Sequence, residues 1–234
     1  MGKIIEFKNV TKAYGTGVHR LLAVDHVSFS IDEGEFVVIL GPSGAGKSTL
    51  LNLLGGMDTA TGGEIIVNGD DIVGYGDDRL TEYRAKNVGF VFQFYNLIPT
   101  LTSLENIALT KNIVKSAFDA REMLESVGLG DHADQFPSQL SGGEQQRVSI
   151  ARAVAKNPTM LLCDEPTGAL DSDTGVAVLT LLQKMSREKG KTVVIVTHNA
   201  ALAQAADKVI RIKNGKIRDV VKNEKPAAVS EVNW

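Results

Sequence analysis

The sequence predicts an α/β protein with a largely parallel core sheet and an inserted α-helical subdomain. Three observations lead there. The apolar run Phe36-Val37-Val38-Ile39-Leu40 ends at a glycine-rich loop and a helical pattern, as does a strand buried on both faces that opens a crossover. Strand and helix patterns alternate again from Ser141 to about Lys213. Between about 94 and 140 the patterning is helical.

Taken in order, residues 4–10 and 25–31 read as strands. In the second, Val27, Phe29 and Ile31 alternate with polar residues, the pattern of one buried face. The strand at 36–40 leads through the loop 41–46 into a helix from Lys47 to about Leu54. Short strands, Glu64–Val67 among them, fall in the glycine-rich stretch 62–76, and 88–92 is another strand. Thr102-Ser103-Leu104-Glu105 has the form of a capped helix start, and 117–127 reads as a helix ending at Gly128.

A helix from Ser141 to about Asn157 follows, then a strand at 159–163, a helix at 173–188 and a strand at 192–197. A short helix and a strand at 208–213 complete the pattern. Residues 1–221 thus form one domain, with 94–140 as the helical subdomain inserted in it. Residues 222–234 are polar, aperiodic and expected to be a flexible tail. No internal repeat is present, so the chain carries one such unit.

With 234 residues and 43 % hydrophobic content the chain can bury one good core and a smaller subdomain. A net charge of −3 argues against a nucleic-acid binder and leaves no polybasic patch for anionic lipid. No apolar run approaches the ~20 residues that span a bilayer, and the N-terminus lacks a signal-peptide core. Direct membrane insertion is therefore not expected; a partner would have to hold the chain at a membrane. The single cysteine, Cys163, cannot form an internal disulfide, which fits a reducing cytoplasmic setting.

Gly41-Pro42-Ser43-Gly44-Ala45-Gly46-Lys47-Ser48 matches the P-loop pattern between a buried strand and a helix. Its glycines let backbone amides curl toward phosphate oxygens, and the helix start adds partial positive charge. Lys47 suits the β- and γ-phosphates, Ser48 suits Mg²⁺, and Thr49 is a candidate for a further phosphate contact. Met160-Leu161-Leu162-Cys163-Asp164-Glu165 is a buried strand ending in two carboxylates. Asp164 is placed to bind Mg²⁺ through water, and Glu165 to polarise a water in line with the γ-phosphate.

Leu140-Ser141-Gly142-Gly143-Glu144-Gln145-Gln146-Arg147, 94 positions after Lys47 at Ser141, presents a second set of helix-start amides. Taken alone, Ser141 and Glu144 are equally a capping box. Gly142 and Gly143 weaken a helix start and favour close approach of a backbone or phosphate. One nucleotide does not need two such cradles in one chain; two chains sharing two nucleotides would need both.

Together these motifs resemble an ABC-transporter ATPase subunit over about residues 3–220, which implies a P-loop NTPase with an N-terminal antiparallel β subdomain beside the largely parallel core sheet and the inserted α-helical subdomain. Leu140–Gln145 matches that family's signature motif. The resemblance implies that Ser141, Gly142 and Gly143 contact the γ-phosphate of ATP held by the opposite subunit, in a head-to-tail dimer around two ATP. It also implies Tyr14 stacking on adenine, Gln93 reaching Mg²⁺ and the attacking water, Asp171 linking the subunits, and His198 on the γ-phosphate. Without it, Tyr14 and His198 read as packing or surface residues at strand ends.

Gly55-Gly56-Met57-Asp58, Phe92-Gln93-Phe94-Tyr95-Asn96-Leu97-Ile98-Pro99 and the Gly15–Arg20 loop are similar to the lipoprotein-release and macrolide-exporter group (LolD/MacB/FtsE-like). That likeness implies an FtsX/MacB-like membrane permease docking near residues 93–101, at the cytoplasmic face of the cell membrane. The expected activity is ATP hydrolysis driving export or extraction. An FtsE-like signalling ATPase that regulates a cell-envelope enzyme is the alternative, and a soluble ATPase acting on ribosomes or DNA is a third reading.

Overall fold

Alternating strands and continuously apolar strands have different burial needs, and the computed structural model, which describes residues 2–232, puts them in two sheets. Met1, Asn233 and Trp234 lie outside the described residues, and with them the last two positions of the expected tail. β1 (Lys3–Tyr14) and β2 (Leu21–Asp32) precede β3 (Phe36–Leu40), which leads into α1 (Lys47–Leu54). β4 (Gly62–Val67), β5 (Asp70–Asp71), α2 (Asp77–Asn87) and β6 (Val88–Val91) follow. The helical subdomain holds α3 (Ser103–Ala108), α4 (Thr110–Ile113) and α5 (Ala120–Ser126), and α6 (Gly142–Ala155) returns to the core. The chain then runs through β7 (Met160–Asp164), α7 (Ser172–Arg187), β8 (Thr192–Thr197), β9 (Lys208–Lys213) and β10 (Lys216–Lys222).

The first sheet has the order β2-β1-β4-β5 and is antiparallel throughout. The second has the order β10-β9-β3-β8-β7-β6, parallel except for β10 at its edge. All five residues of β3 are buried, because β8 and β9 flank it and helices cover its faces. That explains its unbroken apolar run. In β2 the buried Val27, Phe29 and Ile31 alternate with polar residues, in β1 Ile4, Ile5, Phe7 and Val10 are buried, and Phe7 stacks on Phe29 at 4.5 Å.

One core cluster fills the space between the two sheets and α1, with Ile5, Phe7, Leu50, Leu53, Val37 and Ile39. A second lies on the opposite face of the parallel sheet, with Phe36, Val38, Val178 and Leu182. A third fills the helical subdomain around Ile107 and Leu124. α6 feeds the last two at once: Ile150 and Ala153 pack on the sheet, Val148 and Ala151 on the subdomain. Each fully buried aliphatic side chain contributes about 1.5–3 kcal/mol, so α6 binds the subdomain firmly to the sheet.

Three features differ from the expectations. α2 shows little apolar periodicity, with only Leu80 and Tyr83 buried, and its glycine-rich approach reads as loop. β10 follows a two-residue turn in which Asn214 and Gly215 both have positive φ, the form that suits a tight hairpin. The expectation of a flexible tail from Lys222 is corrected. Val229 and Val232 are buried, Ala227 N–H donates to Gln204 O at 2.9 Å, and Gln183 on α7 donates to Ala227 O at 3.0 Å and accepts from Val229 N–H at 3.0 Å.

Candidate functional site

Three parallel strands end side by side, and the turns after them carry most of the candidate residues. Leu40 of β3 pairs with Thr197 of β8, and Asp164 of β7 with Val196. Open parallel sheets bind ligands at this carboxyl edge.

The loop after β3 is shaped by close approaches. A Cβ on Gly41 would lie 2.4 Å from the Ile212 carbonyl oxygen, and one on Gly46, at φ +100°, 2.2 Å from that of Ala23. Only glycine fits such positions. At Gly44 a Cβ would meet nothing within 4 Å, so the middle of the loop faces open space. Pro42 and Ser43 are exposed on it, whereas Ala45 packs inward. Lys47 is buried and bends back, Nζ donating to Gly41 O at 2.9 Å and Pro42 O at 3.2 Å.

Ser48 Oγ donates to Asp164 Oδ1 at 3.1 Å, joining the loop to the end of β7. Burial raises the Asp164 carboxyl above the ordinary carboxylate range; Ser48 and Lys47 oppose the rise and the Glu165 charge adds to it. A hydroxyl and a carboxylate oxygen this close are hard donors that fit Mg²⁺, which takes one or two carboxylates and fills the rest with substrate oxygens and water. Among the described residues no group of three or more His, Cys, Asp or Glu forms an all-protein metal cage.

Glu165 has φ +45°, a left-handed backbone uncommon outside glycine. Its N–H bonds Val196 O at 3.0 Å, and the turn aims its carboxylate at the end of β8. There Thr197 Oγ1 donates to Glu165 Oε2 at 2.9 Å, and His198 Nδ1 lies 2.9 Å from Oε1. Gln93, two residues beyond β6, lies against the turn that follows Glu165: a Cβ on Gly168 would come within 2.9 Å of its amide nitrogen. Cys163 is fully buried and burial raises its thiol, as befits a packing residue.

A cleft of about 510 Å³ lies over the loop, lined by Tyr14, Lys47, Ser48 and Thr49 among others. Sequence reasoning missed its remaining wall of Leu21, Leu22 and Ala23 on β2 and Asn214 with Gly215 at the hairpin turn. The Asn-Gly pair was a readable hairpin signal; the exposed Leu21 and Leu22 had none.

Ser141, Gly142 and Gly143 are not among the described residues lining this cleft. Ser141 caps α6 with the full capping box: Glu144 Oε2 accepts from Ser141 N–H and from its hydroxyl, each at 2.8 Å. These two donors hold the Glu144 carboxyl below its ordinary range. A Cβ on Gly142 would lie 2.6 Å from Tyr95 Oη, and one on Gly143 2.1 Å from Thr174 Cγ2. The glycines therefore also let α6 pack closely within its own chain. Asp171 caps α7 by accepting from Thr174 N–H at 3.0 Å, and the Thr174 amide and hydroxyl hold its carboxyl low.

The family model for ABC transporters matches residues 24–168. The chain is 46 % identical over 225 residues to an uncharacterised ABC transporter ATP-binding protein of Thermotoga maritima, covering 94 % of this chain and 96 % of that protein. The chain belongs to the ABC transporter family, as an ATPase cassette.

Other members resemble it as closely. The macrolide export ATP-binding/permease protein MacB of Aggregatibacter actinomycetemcomitans is 43 % identical over 232 residues, which cover 97 % of this chain but 36 % of that protein. The ATP-binding cassette MJ0796 of Methanocaldococcus jannaschii, solved as a dimer in a post-hydrolysis state with ADP and Pi, has a TM-score of 0.86 at 44 % identity, covering 93 % of this chain and 98 % of that chain. The cassette's two sheets and helical subdomain are those of a P-loop NTPase of this family. Within it, the turns after β3, β7 and β8 assemble a polar edge with acidic, hydroxyl and imidazole groups in hydrogen-bond contact, an arrangement suited to phosphoryl chemistry.

Proposed function

We propose that this chain binds Mg²⁺ and ATP on the loop 41–48, closes head-to-tail on a second copy around two ATP, and hydrolyses them to drive a MacB-like membrane permease in export or extraction. The observation that carries this reading is the separation of two helix starts suited to anions. α1 begins inside the cleft, whereas α6 begins at Ser141, apart from the cleft lining. A second copy would bring its Ser141 to the first copy's nucleotide. MJ0796, solved as a dimer bound to ADP and Pi, supports the pairing of two copies.

In this site Tyr14 stacks on the base, an interaction of about 1–3 kcal/mol. The amides of Gly41, Pro42, Ser43, Gly44, Ala45 and Gly46 surround the phosphates with Lys47, and Thr49 adds a contact. Ser48, Asp164 and Gln93 would hold Mg²⁺, which when bound would supply charge neutralisation at the phosphate oxygens. Glu165 takes the proton of the attacking water, its carboxylate aimed by Thr197 and His198. His198 also meets the γ-phosphate. Ser141, Gly142 and Gly143 of the second copy receive that phosphate, and Asp171 sits at the seam between copies.

The segment 93–101 receives the permease. Phe94 is 75 % exposed and Ile98 is exposed, apolar surface that water disfavours, while Leu97 packs on the helical subdomain. MacB joins an ATP-binding part to a permease in its name, and this chain matches 36 % of its length. No helix among the described residues is long and apolar enough to cross a membrane, so the proposed location, the cytoplasmic face of the cell membrane, depends on that permease.

The reading is tested by light scattering with ATP on Glu165→Gln protein, with and without Ser141→Arg, alongside Mg²⁺-dependent phosphate release by the wild type. The expected outcome is an ATP-dependent dimer that Ser141→Arg abolishes while nucleotide binding persists. Undiminished dimerisation in the double variant would overturn the shared site.

A further inference from the structure

Behind the Tyr14 ring stands a polar cluster that takes no part in the phosphate site. Lys12 and Tyr14 are two apart on β1 and so project to the same face. Lys12 Nζ donates to Asp58 Oδ1 and, at 2.8 Å, to Thr59 O, and stands 4.9 Å from the centroid of the Tyr14 ring. Tyr14 Oη donates to Asp58 Oδ2 at 2.7 Å. The two carboxylate oxygens of Asp58 thus fix the ammonium on one ring face and the hydroxyl at the ring's tip.

The exposure of these groups gives the arrangement a direction. The side chains of Lys12 and Asp58 are 12 % and 26 % exposed, whereas Tyr14 is 42 % exposed. Tyr14 lines the 510 Å³ cleft, and neither Lys12 nor Asp58 does. The ring therefore has the ammonium over one face and also borders the cleft. The anchor itself is fixed, because Met57 and Asp58 N–H both bond Asn52 O, at 2.9 and 3.3 Å, in the last turns of α1. α1 carries the phosphate loop at its N-terminus and the ring's anchor just past its C-terminus.

Charge keeps the cluster intact. Burial pushes the Asp58 carboxyl up, but hydrogen bonds from Lys12, Tyr14 and Thr59 N–H outweigh it and hold the group below the usual carboxylate range. Burial and the bond to Asp58 raise the Tyr14 phenol, against a smaller opposing effect of Thr49. Carboxylate and neutral phenol therefore coexist at neutral pH.

We propose that Asp58, together with Lys12, is a positioning residue for the nucleobase: it holds the Tyr14 ring at a set distance from the phosphate loop with one face free, and so sets how much an aromatic base adds to nucleoside triphosphate binding. This rests on the reading of Tyr14 as the base-stacking residue. An unanchored tyrosine would lose rotamer freedom on stacking, and holding it beforehand removes that penalty, worth about 3- to 10-fold in affinity.

The test measures Mg²⁺-dependent binding of ATP and of inorganic tripolyphosphate, which lacks a base, to the full chain by calorimetry. Tyr14→Ala is expected to weaken ATP and leave tripolyphosphate unchanged. Asp58→Ala should weaken ATP by about 3- to 10-fold with tripolyphosphate again unchanged, and Asp58→Asn, which keeps an acceptor for the Tyr14 hydroxyl, should recover part of the loss. If Tyr14→Ala weakens ATP but neither Asp58 variant does, positioning by Asp58 is wrong and stacking stands. If Tyr14→Ala leaves ATP unchanged, both fail. Equal weakening of ATP and tripolyphosphate in Asp58→Asn would make Asp58 a residue of the general fold and overturn the proposal. Should Asp58→Ala not fold, Asp58→Asn and Lys12→Met decide by the same comparison.

Discussion

Gln146, with no solvent exposure, donates from Nε2 to the backbone carbonyl of Pro166 at 2.9 Å. The same nitrogen lies 3.3 Å from Phe92 O. Phe92 immediately precedes Gln93, and Pro166 immediately follows Glu165, so one side chain of the Ser141 helix ties together the segments that carry two candidate catalytic residues. Replacing it with leucine strips the buried Pro166 carbonyl and the part-buried Phe92 carbonyl of a donor, at about 1–3 kcal/mol for a carbonyl that stays dry.

Gln146→Leu is therefore expected to displace both segments slightly. Misplacement on the order of 1 Å lowers turnover by up to about 10²-fold. Steady-state ATPase assays should show this fall in kcat with KM for ATP little changed, since the phosphate loop is untouched. A raised KM at unchanged kcat would contradict the coupling.

Glu165 is held on both oxygens, by Thr197 and His198, so Glu165→Gln is nearly isosteric and removes the base without rebuilding the turn. Phosphate release should slow by about 10²–10⁴-fold, the usual weight of a general base, and the ATP-bound dimer should persist long enough to isolate. Turnover within a few-fold of wild type would remove Glu165 from the mechanism.

The C-terminal segment is held by Gln183, which donates to Ala205 O and Ala227 O at 3.2 and 3.0 Å and accepts from Val229 N–H at 3.0 Å. Gln183→Leu loses all three bonds, and water can recover them only if the segment leaves α7. Hydrogen exchange at the Val229 amide is expected to be faster in the variant than in the wild type. Retained protection would mean that contacts other than those of Gln183 dock the segment.

How much of this was legible follows from where the information lies along the chain. β3, the glycine loop and α1 are contiguous, and their apolar run and turn chemistry appear in a few adjacent residues. The pairing of Ser48 with Asp164 spans 116 positions. It was readable only because each residue sits in a local motif of its own. Asp58 and Gln146 lie in the stretches Gly55–Asp58 and Leu140–Arg147, but nothing in those stretches assigns either a partner; one is an acid in a turn, the other a glutamine in a helix, and the fold alone gives them partners. α2 stayed hidden because two buried positions make no periodicity. The docked C-terminal segment stayed hidden for the same reason, since Val229 and Val232 reveal nothing until Gln183 is known to face them. At Gly142 and Gly143 the sequence suggested close approach of a backbone or a phosphate, and within the chain the nearest neighbours are side-chain atoms of Tyr95 and Thr174.

Asp164 carries a charge that folding disfavours, because burial raises its carboxyl above the ordinary value. The sign follows from proton counting. Between the unfolded value near 3.8 and the higher folded value, the native state binds more protons than the unfolded chain, so stability falls as pH rises through that window. Above the folded value the full penalty is present. Asp164→Asn removes the charge while leaving an oxygen to accept from Ser48 Oγ. The variant is therefore expected to melt at a higher temperature than wild type at pH 7 without Mg²⁺ or nucleotide, and the gain should vanish as pH falls below the unfolded value. Mg²⁺-dependent hydrolysis should be lost in the same protein. Thermal denaturation at several pH values checks the first part and phosphate release the second. A variant less stable than wild type at pH 7 would show that the contacts of the Asp164 carboxylate outweigh its burial.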